Sequence, residues 1–290
     1  MAVKIGNKWV SEDNPCFVVA EVGINHNGSL EIAKKMIDAA IDAGADAVKF
    51  QKRTVEIVYT PEELAKPRES IFGETNADLK YGLEFGEKEY KEIDRYCRKK
   101  GILWFASCWD EGSVDLIDKF NPPCYKVAST SLTDQNLILY TRSKGKPIIL
   151  STGMSTMDQI KRAVEILGKN DLVILHCVST YPTADEELNL NVIKTLQKEF
   201  SGVPVGYSGH GYGTTLAVAA VALGACMVER HITLDVSMWG SDQAASLEPW
   251  KFKLMTGNIR RLDVALGDGI KRVLPSEISI MEKLRRKTDF

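Results

Sequence analysis

The chain has 290 residues, and 37 lysines and arginines against 39 aspartates and glutamates give a formal net charge of −2 at pH 7. This balance offers no electrostatic basis for binding nucleic acid or an anionic membrane, so we expect neither as a partner. The longest apolar stretch, Leu216–Val228, contains Gly224 and is too short to cross a bilayer. Six cysteines occur without CxxC pairs and no signal peptide is recognisable, which predicts reduced thiols in the cytoplasm.

The start of the chain differs from the rest in its pattern. Val3–Val10 predicts a β-hairpin with its turn at Gly6 and Asn7, and we expect it to cover the bottom of the following domain. After two strands and a helix, the polar stretch Lys52–Gly86 interrupts the pattern. It predicts an elaborated loop over one face.

Apart from that insert, short apolar strands alternate with amphipathic helices. The predicted strands are Cys16–Glu21, Ala47–Gln51, Leu103–Ser107, Cys124–Val127, Ile148–Ser151, Leu172–His176, Val205–Tyr207 and Met227–His231. The predicted helices are one from Leu30 to a stop at Gly44, then Lys88–Lys100, Val114–Phe120, Asn136–Ser143, Met157–Leu167, Leu190–Phe200, Thr214–Leu223 and Trp250–Leu266.

Eight strand–helix units predict an α/β fold, a closed (β/α)8 TIM barrel with an N-terminal β-hairpin, as a single domain over residues 1–290. A doubly wound open sheet is the alternative. It is disfavoured because the first loop, Gly23–Gly28, lacks the dinucleotide-binding glycine pattern.

In such a barrel the active site lies at the carboxyl ends of the strands. Polar side chains follow every predicted strand at that edge, and all four histidines of the chain are among them. These residues are Glu21, Asn25, His26, Lys49, Gln51, Ser107, Lys126, Ser129, Ser151, Thr152, His176, Ser179, Tyr181, Ser208, His210, His231 and Asp242. The edge is therefore predicted to be a site.

His210 and His231 end the last two predicted strands, which places two imidazoles side by side. Neutral imidazoles suit Mn²⁺, Zn²⁺, Fe²⁺ or Co²⁺ and leave other coordination positions open. A structural role is equally compatible with the pattern, and His176, inside an apolar run, is assigned such a role.

Lys49 and Lys126 end apolar strands, where a buried ammonium group needs an anion. With serines on the same edge they predict a phosphate or carboxylate pocket. An internal ion pair or a Schiff-base lysine remains open as an alternative. Glu21 is either a general acid–base or the partner of a lysine.

Several motifs resemble the sialic acid synthases. They are Ala20-Glu-Val-Gly-Ile-Asn-His-Asn-Gly28, Gly44-Ala-Asp-Ala-Val-Lys-Phe-Gln51, Leu150-Ser-Thr-Gly-Met154, His176-Cys-Val-Ser-Thr-Tyr-Pro182, Gly206-Tyr-Ser-Gly-His210 and Glu229-Arg-His-Ile-Thr-Leu-Asp235. The resemblance implies a (β/α)8 barrel that condenses phosphoenolpyruvate with N-acetylmannosamine, or with a 6-phosphorylated or 2,4-diacetamido relative. The products would be a nine-carbon 2-keto acid and phosphate.

The resemblance also implies roles for individual residues. His210 and His231 would bind one divalent ion, Mn²⁺ in preference to Mg²⁺ or Co²⁺, and act in catalysis with Glu21. Phosphoenolpyruvate would be bound by Lys49, Ser107, Lys126, Ser129, Ser151, Ser179 and Ser208. Gln51, Tyr181 and Asp242 would contact the sugar, and a homodimer is implied.

The chain departs from the family pattern at Gly209, Ser131 and Gln243, where aspartate, glutamate and histidine are usual in many members. It is also expected to lack the C-terminal antifreeze-like domain. These departures concern the sugar more than the chemistry. A non-catalytic phosphosugar-binding barrel and a Schiff-base pyruvate aldolase that uses Lys126 are the competing functions.

Overall fold

Eight parallel strands close into a barrel in a computed structural model that describes residues 2–287. The strands of the chain are β1 (Val3–Ile5), β2 (Lys8–Val10), β3 (Phe17–Gly23), β4 (Ala47–Lys52), β5 (Pro67–Ser70), β6 (Gly73–Thr75), β7 (Leu103–Cys108), β8 (Tyr125–Val127), β9 (Ile148–Ser151), β10 (Leu172–Cys177), β11 (Val205–Gly209) and β12 (Met227–His231). The barrel runs β3-β4-β7-β8-β9-β10-β11-β12, and β12 pairs with β3 to close it. The predicted (β/α)8 fold is confirmed, and the open sheet is excluded.

Twelve α-helices accompany these strands within residues 2–287. They are α1 (Leu30–Asp42), α2 (Val55–Val58), α3 (Pro61–Leu64), α4 (Asn76–Leu83), α5 (Glu87–Lys100), α6 (Glu111–Asp118), α7 (Gln135–Ser143), α8 (Met157–Leu167), α9 (Val192–Glu199), α10 (Thr215–Ala222), α11 (Pro249–Ala265) and α12 (Pro275–Leu284). Helices α1 and α5 to α11 pack on the outside of the barrel. No helix among residues 2–287 is long and apolar enough to cross a membrane. The six cysteines are free thiols, and all are buried.

Strand alternation divides the core into two parts. Successive side chains of a strand point to opposite faces, so each barrel strand sends one set outward to the helices and one set inward. The outward set and the helices form one large apolar cluster. The inward residues at the strand starts form a second cluster, which includes Phe17, Val19, Phe105, Ile149 and Met227.

The β1–β2 hairpin closes the bottom of the barrel. Val3, Ile5 and Val10 are buried in the same cluster as the inward residues at the strand starts. Its turn approaches β7 closely, since a Cβ at Gly6 would lie 2.7 Å from a Leu103 methyl group. The predicted hairpin and its position are confirmed.

The Lys52–Gly86 insert carries more secondary structure than a loop. It contains α2, α3, the β5–β6 hairpin and α4. Thr60 and Thr75 start α3 and α4 as N-caps, because their hydroxyls accept hydrogen bonds from Glu63 N and Asp78 N. These elements are too short to show a hydrophobic period, which explains why the sequence indicated only a loop.

Candidate active site

A cavity of about 300 Å³ opens at the carboxyl end of the barrel. Every residue that the sequence assigned to catalysis, metal or substrate binding lines it. They are Glu21, Lys49, Gln51, Ser107, Lys126, Ser129, Ser151, Ser179, Tyr181, Ser208, His210, His231 and Asp242. Eight of them lie on barrel strands, where inward residues two apart lie one above the other. The other five, Ser129, Ser179, Tyr181, His210 and Asp242, lie in the segments that follow strands.

The strand register brings the polar side chains into rows. Glu21 on β3 stands between His231 on β12 and Lys49 on β4 as the paired residue of each. Ser107 likewise pairs with Lys126 across β7 and β8. Toward the strand starts, below this polar layer, the inward side chains are apolar, so the charged groups are buried against an apolar floor.

Lys49 is the centre of a buried ion network. Its Nζ lies 3.2 Å from Glu21 Oε2, 3.1 Å from Glu229 Oε1 and 3.2 Å from Ser107 Oγ. Lys126 donates to Ser151 Oγ at 2.6 Å and lies 3.9 Å from Glu229 Oε1. Two lysines and two carboxylates thus form one buried network before any ligand binds.

Glu229 was missed at the sequence level, although a signal was present. It lies two residues before His231 on β12, so both side chains point into the barrel. Its Oε1 also accepts from Ser208 Oγ at 3.1 Å.

The network shifts the pKa values of its members in different directions. Burial, opposed by Lys49 and reinforced by Glu229, raises the pKa of Glu21 to about 7. Burial acts in the same direction on Glu229, but Lys126 and Lys49 outweigh it and hold that pKa at about 2. Burial lowers the pKa of Lys126 to about 8, against the pull of Glu229. At neutral pH Glu21 is therefore poised to exchange a proton while Glu229 stays charged.

His210 and His231 lie together, with ring centroids 5.5 Å apart. Tyr181 packs against both rings at 4.0 and 5.8 Å. Burial lowers the pKa of His231 to about 3, against the attraction of Asp242, so this ring is neutral at physiological pH.

The pair fits a divalent cation. His210 Nδ1 donates to Val178 O at 2.7 Å, which leaves Nε2 with a free lone pair. His231 Nδ1 is buried without a hydrogen-bond partner and lies 3.9 Å from Asp242 Oδ2. Among residues 2–287 no third His, Cys, Asp or Glu completes a cluster of ligands.

Gly23 keeps space open beside this pair. A Cβ there would lie 3.1 Å from Glu21 Oε1, 3.2 Å from Gln51 Nε2 and 3.3 Å from His231 Cε1, and its φ of +53° favours glycine. The acid, the amide and the imidazole therefore converge on one point.

Across the mouth, small polar groups surround Gly153, and we call this arrangement the Gly153 or serine cradle. Gly153 N donates to Ser129 Oγ at 3.0 Å. A Cβ at Gly153 would lie 2.2 Å from Ser179 Oγ and 2.8 Å from Ser129 Oγ, so both hydroxyls reach the backbone only because that residue is glycine. With Lys126 and Ser151 nearby, the arrangement suits a phosphate group.

Comparison with known proteins identifies the family to which this chain belongs. A family model described as the NeuB family matches residues 36–271. The chain belongs to the NeuB family. It is 41% identical over 281 residues to the N-acetylneuraminate-9-phosphate synthase of Homo sapiens, covering 96% of this chain and 78% of that protein. It is 37% identical over 277 residues to the N,N'-diacetyllegionaminic acid synthase of Campylobacter jejuni, covering 92% and 83% respectively.

A solved structure agrees with these relatives. The N-acetylneuraminic acid synthetase of Leptospira borgpetersenii, in complex with citrate, has a TM-score of 0.86 at 32% identity, covering 99% of this chain and 98% of that chain. The sequence-based identification of a phosphoenolpyruvate-dependent nonulosonic acid synthase is confirmed by the family and these relatives.

Several edge residues of this NeuB-family chain lie outside the cavity. His26 stacks on Phe85 with centroids 4.0 Å apart, and His176 Nε2 lies 2.7 Å from Leu188 O, which agrees with the structural role predicted for His176. Gln243 is buried and donates to Asn25 O at 3.2 Å, joining the loops after β3 and β12. Ser131 is buried outside the lining.

The insert contributes cavity residues that the sequence did not indicate. Arg53, Tyr59 and Lys80 line the same cavity, together with Trp109 after β7. No sequence signal links these positions, because their proximity depends on how the insert folds back over the barrel.

Proposed function

We propose that this synthase joins C3 of phosphoenolpyruvate to the open-chain aldehyde of an N-acetylhexosamine-type sugar, and that the thirteen cavity residues predicted from sequence perform it. The supporting observation is the convergence of two buried lysines, a serine cradle, Glu21 and a histidine pair in one cavity. Each of these groups matches one need of the reaction.

Phosphoenolpyruvate carries a phosphate and a carboxylate, so its site needs two cations and several donors. Lys126, Ser129, Ser151 and Ser179 surround the Gly153 cradle and would bind the phosphate. Lys49, with Ser107 on the adjoining β7 and Ser208 on β11, would bind the carboxylate side. When the trianionic ligand enters, the lysines exchange part of their pairing with Glu229 for it.

One divalent cation, Mn²⁺ by preference, would be held by His210 and His231, and its chemistry when bound is Lewis-acid polarisation of the sugar aldehyde. The protein supplies the rest. Tyr181 packs against both imidazoles, and Val178 O fixes the His210 tautomer, so the pair is oriented before ligands arrive.

The reaction balances as phosphoenolpyruvate, aldehyde and water giving a 2-keto acid and phosphate. C3 forms the new bond to the aldehyde carbon, and the aldehyde oxygen takes up a proton. Water adds at C2 and loses a proton, and the C2–O bond to phosphate then breaks as the C2 hydroxyl gives its proton to the departing phosphate and the keto group forms. Glu21, with a pKa of about 7, carries the proton, and Gln51 Nε2 orients it through Oε1 at 2.9 Å.

A Schiff-base pyruvate aldolase is the second candidate. The pKa of Lys126 at about 8 supports it, since a neutral amine is the nucleophile. The serine cradle around Lys126 favours the synthase, because pyruvate has no phosphate to fill it.

The test is release of inorganic phosphate from phosphoenolpyruvate with Mn²⁺ and three acceptors: N-acetylmannosamine, its 6-phosphate and a 2,4-diacetamido-trideoxy hexose. We expect release to require an acceptor and metal, and Glu21→Gln to abolish turnover while phosphoenolpyruvate still binds. Borohydride trapping of a pyruvate adduct on Lys126 would instead establish the aldolase. Ligand binding without turnover of any acceptor would favour the non-catalytic phosphosugar-binding barrel.

A further inference from the structure

A second cationic region borders the cavity, separate from the lysine pair inside the barrel. It consists of Arg53, Tyr59 and Lys80, and we call it the insert rim. All three line the same cavity as Glu21 and the histidines. Their elements follow β4, whereas His210 and His231 belong to the ends of β11 and β12.

The charges of the insert rim do not cancel. The Glu84 carboxylate is shared by two cations, since Oε1 lies 2.9 Å from Arg53 Nε and Oε2 lies 3.1 Å from Lys52 Nζ. The nearby Glu56 accepts from Tyr81 OH at 2.7 Å. Lys80 forms no ion pair among residues 2–287. A positive charge therefore remains unbalanced at the cavity wall.

The side chains of the rim are held in place. The Lys80 ammonium lies 4.7 Å from the centroid of the Tyr59 ring. Tyr59 OH accepts from Arg53 NH1 at 3.0 Å, which leaves its own proton free to donate. The Arg53 guanidinium stacks on Trp109 at 4.6 Å. Such fixed donors lose little entropy when an anion binds.

The barrel order places the rim beside the histidine pair rather than on it. β4, which the insert follows, is separated from β12 by β3 alone and from β11 by β3 and β12. An acceptor sugar whose aldehyde lies at the histidine pair can therefore place its far end at Tyr59 and Lys80, which line the same cavity.

We propose that the insert rim is a subsite for a phosphate monoester at the end of the acceptor sugar remote from its aldehyde. The proposal rests on the proposed function, and it makes the acceptor a phosphosugar. Lys80 and the Tyr59 hydroxyl contact the phosphate, and Arg53 positions Tyr59.

The rim is also joined to the reacting centre. Arg53 NH2 donates to Gln51 Oε1, and Gln51 Nε2 donates to Glu21 Oε1 at 2.9 Å. A phosphate that fixes Tyr59 and Arg53 therefore also fixes the amide that orients Glu21. An occupied rim raises turnover as well as affinity.

The experiment compares N-acetylmannosamine with its 6-phosphate on the wild type, Lys80→Met, Lys80→Arg and Lys66→Met. Lys66 belongs to the same insert and pairs with Glu63 outside the cavity, so its variant controls for loss of charge. We expect Lys80→Met to lower kcat/KM for the phosphosugar roughly tenfold or more and leave the neutral sugar unchanged. Lys80→Arg retains activity, and Lys66→Met matches the wild type.

Calorimetric binding of the phosphosugar to the same four proteins gives a readout that does not need turnover. Weaker binding to Lys80→Met alone supports the subsite even if no acceptor reacts, in which case only the proposed function fails. Equal effects of Lys80→Met on both sugars, or a wild-type preference for the neutral sugar, would overturn the subsite while leaving the synthase intact.

Discussion

Among residues 2–287, Lys126 combines burial with a single, shared counter-ion. Glu229 Oε1 lies 3.9 Å from Lys126 Nζ but only 3.1 Å from Lys49 Nζ. The carboxylate therefore stabilises the charge of Lys126 less than that of Lys49. Burial consequently lowers the Lys126 pKa to about 8, whereas Glu21 and Glu229 outweigh burial at Lys49 and raise its pKa. Of the two lysines, only Lys126 loses its proton near the physiological range.

We predict that kcat/KM for phosphoenolpyruvate falls above a pH of about 8. Lys126 carries its proton below this pH and attracts the phosphate, and above it the neutral amine does not. Steady-state rates across a pH series measure this fall in kcat/KM, which reports the pKa values of groups in the free enzyme. In Lys126→Arg the fall in kcat/KM should begin at a higher pH, because the guanidinium group stays charged. A wild-type profile that stays flat well above that pH would contradict the assignment.

Gly153 offers a steric test of the phosphate cradle. In Gly153→Ala the new Cβ would meet Ser179 Oγ at 2.2 Å and Ser129 Oγ at 2.8 Å, so both hydroxyls must move. We predict a fall in kcat/KM for phosphoenolpyruvate of roughly tenfold or more, because small displacements of positioning groups are costly.

Gly257→Ala is the matched control for that variant. Gly257 lies in α11, and no atom lies within 4 Å of the position its Cβ would take. The control should leave the kinetics unchanged and stabilise the helix by about 1 kcal/mol. Equal kinetic losses in both variants would show that Gly153 does not shape the cradle.

At the scale of elements, the loop after β11 carries His210 and is held by β12. Arg230 on β12 is fully buried and donates to Gly211 O at 2.7 Å and Gly213 O at 2.9 Å. Burial lowers its pKa to about 10, so the guanidinium remains charged at neutral pH. It therefore ties the carbonyls of the loop to the strand that supplies His231.

We predict that Arg230→Met weakens Mn²⁺ binding by roughly tenfold or more, because residues that orient metal ligands contribute on that scale. Calorimetric titration of Mn²⁺ is the measurement. Arg142→Met is the control, since Arg142 also donates to a backbone carbonyl, Asn170 O at 3.0 Å, but lies outside the cavity. If both variants bind Mn²⁺ as the wild type does, Arg230 does not position His210.

Most barrel elements were predictable because their signals are local. The eight strands are apolar runs, and the ends of β9 and β12 agree with the structure at Ser151 and His231. Glu229 was within reach of the same reasoning through its spacing from His231. Lys80 was not, since its place in the cavity depends on how α4 packs against the β5–β6 hairpin and α2. The roles of the thirteen cavity residues stay predictions, although their convergence in one cavity is established.

At the scale of the molecule, the barrel separates stability from chemistry along its axis. The bottom is apolar and closed by the β1–β2 hairpin, whereas the top carries the buried charges. Removing charged groups from water costs free energy, and the apolar floor and helix layer supply the compensating burial. The homodimer that the family resemblance implies stays a prediction, which light scattering of the purified chain tests.

We predict that Ile5→Ala lowers the free energy of unfolding by about 2–5 kcal/mol, the cost of truncating a fully buried aliphatic side chain. Denaturant titration measures it. Ile280→Ala, at a side chain that is 57% exposed, is the matched control and should change stability by less than about 0.5 kcal/mol. Below the unfolding transition, Ile5→Ala should keep the wild-type KM for phosphoenolpyruvate, because the hairpin and the cavity lie at opposite ends of the strands. A raised KM in this variant would mean that the apolar floor transmits changes in packing to the lysine network, and that the two ends are coupled.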